Sequence, residues 1–192
     1  MISNKAKSVD KIGASVLLGG STVSAAGGAG VFTIQCFGQD GNLKWEEKSP
    51  NLVVNAGLKD MNDKYFTGST YTAAWYLGLI TGPGSGTTIA AADTLASHTG
   101  WTEYTDYTGN RKSVTFAAAS LADPSVITNS AAPSAFVITA PGGTVAGAFL
   151  ASVDTGTSGI LFSASDFQSP GDRAVVAGDT LSVTYTFSLD AA

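Results

Sequence analysis

Thr180-Leu181-Ser182-Val183-Thr184-Tyr185-Thr186-Phe187-Ser188-Leu189 is the stretch that decides the fold. Leu181, Val183, Tyr185, Phe187 and Leu189 alternate strictly with Ser182, Thr184, Thr186 and Ser188. A strand sends successive side chains to opposite faces, so a period of two puts the five apolar chains on one face and the hydroxyls on the other. Gly178-Asp179 supplies the turn that leads in. The stretch predicts a half-buried strand, and a strand needs partners.

Those partners can be found by working back along the chain. Val31–Phe37 is rich in β-branched and aromatic residues, and Asp40-Gly41 is a hairpin turn signal. On the return strand Leu43 and Trp45 alternate with Lys44 and Glu46, so one face there is wet. Ala73–Ile80 is a continuous apolar run, followed by Gly82-Pro83-Gly84-Ser85-Gly86, and predicts a buried strand. Lys112–Ala117, Ala135–Thr139, Val145–Leu150 and Gly159–Ser163 are further short strands set between turn residues. Many short strands joined by turns predict a mainly β chain, an antiparallel β-sandwich or jelly-roll-like domain over residues 31–192.

One helix interrupts this pattern near residues 55–66. Asn55 is placed to cap it. Ala56, Leu58, Met61 and Tyr65 fall on one helical face, Lys59, Asp60, Asn62, Asp63 and Lys64 cover most of the remainder, and Gly68 closes it. Residues 1–30 look different. Gly19-Gly20-Ser21-Thr22 and Ala25-Ala26-Gly27-Gly28-Ala29-Gly30 have no core pattern, and such composition stays flexible unless a partner orders it. The segment is expected to form an extended N-terminal arm. Lys5, Lys7 and Lys11 precede Ile12–Leu18 in the manner of a signal peptide, but Asp10 and the following glycines interrupt the pattern.

Composition narrows the function classes. Only 13% of the 192 residues are charged, about half the usual ~25%. Small and hydroxylated residues fill the gap and suit a surface that meets neighbours. Ten Lys and Arg against fifteen Asp and Glu give a net charge of −5 and a pI near 4.6. That balance argues against a counterion-releasing nucleic-acid binder. No stretch is apolar over the length of a bilayer. The single cysteine, Cys36, lies in an apolar run and reads as a small buried residue rather than a redox or metal group.

Few residues could carry chemistry. His98 is the sole histidine, which excludes a multi-histidine metal site. A Ser-His-Asp triad would have to use it, yet Ser97 is its chain neighbour and no Gly-x-Ser-x-Gly elbow occurs. Gly82–Thr88 looks like a phosphate loop but lacks the lysine. Glu103, Asp106, Asp93 and Asp172 could supply a glycosidase pair, and Asp154 or Asp166 could meet calcium, but no characteristic spacing supports either. No cofactor is expected. Trp101, Tyr104 and Tyr107 interleave with Thr102, Glu103 and Asp106. Such aromatics could stack on sugars, anchor an interface, or plug the open end of a sandwich.

Several blocks, in order, resemble a family of small structural proteins found in tailed-bacteriophage genomes. They are Asn51–Leu58 (NLVVNAGL), Ala74–Ile80 (AWYLGLI), Ala92–Glu103 (ADTLASHTGWTE), Gly147–Leu150 (GAFL), Gly159–Ser163 (GILFS) and Val176–Tyr185 (VAGDTLSVTY). Together they fall between residues 31 and 189. The resemblance implies a virion protein without enzymatic activity. Its expected place is the outer surface of the head, as a decoration or cement protein bridging major capsid protein subunits. The alternative is a tail or fibre protein contacting the host surface. A homo-oligomer, foremost a trimer, is expected, with neither nucleic acid nor membrane as a partner.

Overall fold

A computed structural model describes residues 17–18, 21–22, 27–71, 74–82, 87–168 and 171–190. The chain is mainly β with one helix among the described residues. In order the elements are β1 (Leu17–Leu18), β2 (Ser21–Thr22), β3 (Gly27–Phe37), β4 (Leu43–Pro50), β5 (Leu52–Val53), α1 (Asn55–Phe66), β6 (Tyr76–Thr81), β7 (Thr102–Tyr104) and β8 (Lys112–Ser113). They continue with β9 (Ser125–Thr128), β10 (Ser134–Val137), β11 (Gly143–Val145), β12 (Gly147–Ala151), β13 (Leu161–Asp166), β14 (Arg173–Val175) and β15 (Thr180–Asp190).

β15 is the centre of the first sheet. The order is β10-β15-β3-β4, and β9 also pairs with β15. β3 and β15 run antiparallel from Thr180↔Phe37 to Asp190↔Gly27. Leu181, Val183, Tyr185 and Phe187 are buried while Ser182, Thr184, Thr186 and Ser188 are half exposed, as the alternation predicts. Burying each large apolar chain is worth about 2 kcal/mol. Between the stretches of β15 paired to β10 and β9, Asn129 closes the ladder. Its Oδ1 accepts from Tyr185 N at 2.7 Å and its Nδ2 donates to the Val183 carbonyl at 3.2 Å. The β3–β4 hairpin turns at Asp40-Gly41 with Gly41 at φ 75°, and the Asp40 Oδ1 accepts from Asn42 N.

The second sheet has the order β5-β13-β12-β6-β7, with β8 also on β6. Small pairings join β1 to β2 and β11 to β14. Side chains from both large sheets meet in one cluster: Phe32, Ile34, Leu181, Val183 and Tyr185 from the first, Leu77, Leu79, Ala148 and Leu150 from the second. The other face of the second sheet is also buried. Ile80, Phe149, Ala151, Leu161 and Ala164 pack there beneath Leu95 and Trp101 from the connection that crosses from β6 to β7. Phe149 lies across its register partner Gly78, where an added Cβ would come 2.2 Å from the ring. Only glycine lets the ring lie this close to the backbone.

Several expectations need correction. The helix spans the expected residues, but its cap is Val54, in extended conformation with no side-chain cap bond, not Asn55. Its buried positions are Gly57 and Asp60. A Cβ on Gly57 would meet the Phe162 carbonyl oxygen at 2.3 Å, so α1 docks backbone-first on β13. Leu58 and Tyr65, expected inside, are exposed. Gly27–Gly30, expected in the arm, belong to β3, because a ladder needs backbone groups and not side chains. The rest of the expected arm lies outside the described residues apart from β1 and β2. So does most of the Gly82–Thr88 loop.

Candidate functional site

The aromatic trio, for which sugar stacking, an interface and a plug at the end of a sandwich were all open, lies inside. Trp101, Tyr104 and Tyr107 are 4%, 4% and 6% exposed. Trp101 closes the outer layer over the second sheet. Its ring stacks on His98 at 3.6 Å and tilts over Phe149 at 5.3 Å, and its Nε1 donates to Asp93 Oδ2 at 3.0 Å. His98 Nδ1 donates to the Trp101 carbonyl at 2.9 Å, so this imidazole is a brace for the tryptophan. Tyr104 and Tyr107 belong to the main core. Tyr107 meets Phe136 edge-on at 4.8 Å. Burial, with Glu103 nearby, pushes the Tyr107 phenol far up. Burial, then Asp106, raises that of Tyr104. None of the three rings is free to stack on a sugar or anchor a partner. Glu103, which lies between Trp101 and Tyr104 in sequence, is paired from elsewhere in the chain.

The main neutralising partner is Arg111. Its Nε and Nη2 donate to the two Glu103 oxygens at 2.8 and 2.7 Å, and its Nη1 donates to the Val153 carbonyl at 3.1 Å. The guanidinium also sits 5.2 Å from the centre of the Phe149 ring. A bidentate pair of this kind suits a partly dry site. The pair borders a hollow of about 290 Å³ that Asn110 and Asp154 also line, and there Asn110 Nδ2 donates to Asp154 Oδ2 at 3.2 Å.

The other expected carboxylates are dispersed. Asp93 serves Trp101 and the Ala90 N–H. Asp166 is raised above the usual carboxylate range by burial and by Asp172. Among the described residues no group of three or more His, Cys, Asp or Glu side chains is placed to hold a metal ion. No helix among them is long and apolar enough to cross a membrane.

Two features were missed from sequence. The first is a polar clamp at the start of β15. Asp179 Oδ2 accepts from Lys44 Nζ at 2.6 Å and Val176 N at 3.0 Å, and the Cys36 thiol lies 3.7 Å away. Burial works against the charged Asp179, but the Lys44 and Val176 hydrogen bonds outweigh it and hold the carboxyl below its usual range. Burial first, then Asp179, pushes the Cys36 thiol up to about 11, which leaves it unreactive. The Gly-Asp turn was visible in the sequence; its partners, 135 and 143 residues away, were not.

The second feature is a surface. The outward row of the first sheet carries Ser182, Thr184, Thr186 and Ser188, whose register partners are Thr33, Gln35 and Thr128 but also Ala29, Val31 and Val126. Thr128 and Thr186 share a hydroxyl hydrogen bond at 3.0 Å, and Gln35 donates to Glu46 at 2.7 Å. Charge on this face lies along the β4 edge, at Glu46 and Lys48, and at Asp190 at the end of β15. No described element covers it. The face is about 14 Å wide across four strands and ~30 Å long.

No family model, curated protein or solved structure matches this chain.

Proposed function

We propose that the chain is a structural, non-catalytic component of a tailed-phage particle, a decoration or cement protein that bridges capsid subunits from outside. In this reading the two sheets form an antiparallel sandwich of jelly-roll type with an added outer layer, and the molecule works as a symmetric oligomer, foremost a trimer. The bare hydroxyl face of the first sheet carries the reading. It is poor in charge and centred on a strand with partners on both sides. Its area of roughly 400 Å² is about half of what one partner contributes to a standard interface. A single contact of that size is weak. Several such contacts in one oligomer, repeated over a shell, would hold through effective concentration. The ordered blocks that resemble phage structural proteins point the same way, and the acidic, charge-poor composition agrees with a partner that is protein.

The test has two arms. Thr184→Arg puts a charge at the middle of the face and is expected to fold normally while losing binding to shells. Wild-type binding by this variant would remove the face from the interface. Counting copies in purified particles tests the location: hundreds are expected, and a dozen or fewer would move the protein to the tail or a vertex.

A further inference from the structure

The first sheet ends on a long strand with nothing paired to its far side. β4 runs for 8 residues along that edge, whereas the edge strands β5 and β10, for example, have 2 and 4. Asn51 N donates to the Gly30 carbonyl at 2.9 Å. That bond sets the alternation in the β3–β4 ladder, so Trp45, Glu47 and Ser49 exchange backbone bonds with β3. Glu46 and Lys48 therefore turn their N–H and C=O groups the other way, to the open side. No described residue donates to or accepts from them there. An open row of backbone groups is a template for another strand.

Charge identifies the strand that fits. The side chains of Lys48 and Glu46 are 66% and 36% exposed and stand 3.4 Å apart. Lysine alone on an edge repels a second copy. Here lysine and glutamate alternate, and the strand is complementary to itself. An antiparallel copy centred on Glu47 sets Glu46 against Lys48 of the second copy, and Lys48 against its Glu46. A slip of two residues either way sets Glu46 against Glu46 or Lys48 against Lys48, so the charges also select the register. Glu47 faces its own copy on the inner side, but its charge is already met by Arg173 at 2.9 Å.

We infer that β4 pairs edge to edge with β4 of a second copy, about a two-fold axis between the two Glu47 residues. The backbone groups of Glu46 and Lys48 and two crossed Glu46–Lys48 ion pairs hold the contact. It is isologous and closes at two copies, so the smallest oligomer is a dimer in place of the trimer put first above. The two first sheets become one, with their hydroxyl faces side by side. The bare area doubles to roughly 800 Å², which is what one partner brings to a standard interface. That use of the joined face rests on the function proposed above; the pairing itself rests on β4 alone.

The experiment is a charge swap in the full chain, read by sedimentation at about 0.01–1 mM protein, where a weak contact is populated. Wild type is expected to form a dimer. Lys48→Glu sets like charges across the axis and should weaken the dimer at least about tenfold at low salt. Glu46→Lys with Lys48→Glu restores opposite charges at both crossings and should bring affinity back to within about threefold of wild type. A monomer throughout the range, or a trimer, would overturn the pairing. So would a dimer indifferent to Lys48→Glu, or one that the double swap fails to restore. Thr184→Arg lies off the edge and should leave the dimer intact. If that variant loses shell binding while wild type is monomeric, the edge pairing fails and the face keeps its role; if the dimer forms and Thr184→Arg still binds shells, the reverse holds.

Discussion

The outer faces of the two large sheets are opposites. The first is bare: hydroxyls of β15 and β3 look outward, and burial along β15 alternates residue by residue. The second is roofed: Leu95, Trp101 and the 87–101 connection lie on it, and β12 is buried at every position from Gly147 to Ala151. The difference shows what the hydropathy of a strand records. Alternation marks one covered face and a continuous apolar run marks two. β15 and β6 differ in sequence pattern because one has solvent behind it and the other has a tryptophan.

This comparison can be broken at either face. Trp101→Ala removes the roof and strips Asp93 of its indole donor; the expected loss is about 3–5 kcal/mol in urea unfolding. A loss below about 1 kcal/mol would mean that the outer layer is ornament. Gly78→Ala drives a methyl into the Phe149 ring under that roof, with an expected cost of about 1–3 kcal/mol. Adding Phe149→Leu should recover part of it. In the first sheet the clamp at Asp179 ties the start of β15 to Lys44 of β4 beside the buried Cys36 thiol. Asp179→Asn should cost about 1–2 kcal/mol at pH 7. The folded carboxyl titrates below its unfolded value, so its contribution is present above about pH 4. It is lost as pH falls through the depressed folded value. The gap between wild type and variant should therefore close in acid, and a gap that stays constant with pH would refute the ionic origin. Thr184→Arg, finally, should change stability by no more than about 0.5 kcal/mol. A larger loss would show that the face is covered after all.

The sheets were legible because their signals are local. The 181–189 alternation, the Asp40-Gly41 turn and the Ala73–Ile80 apolar run each need only their own residues to be read. Short strands such as Leu52–Val53 and Arg173–Val175 were missed because two or three residues carry no period. The helix was found but its face was only half read. It docks through Gly57 against a backbone carbonyl, and of the visible stripe Ala56 and Met61 pack against the core while Leu58 and Tyr65 face out. The aromatic trio stayed ambiguous for a related reason. Trp101, Tyr104 and Tyr107 look wet beside Glu103 and Asp106, and only the fold brings Arg111 onto Glu103. Signals written by distant partners do not show in a single stretch of chain.

The pairing of β3 with β15 has a consequence for how the protein is made. Its contacts join distant residues, 159 positions apart for the Ser188–Ala29 hydrogen bond. Closing a loop of that size costs about 4 kcal/mol before any contact repays it. On the ribosome β3 emerges long before its partner β15. The second sheet, complete by Asp166, is in hand well before. Biogenesis thus runs from the roofed sheet to the bare one, and a message truncated upstream of Thr180 yields a chain whose first sheet has no middle.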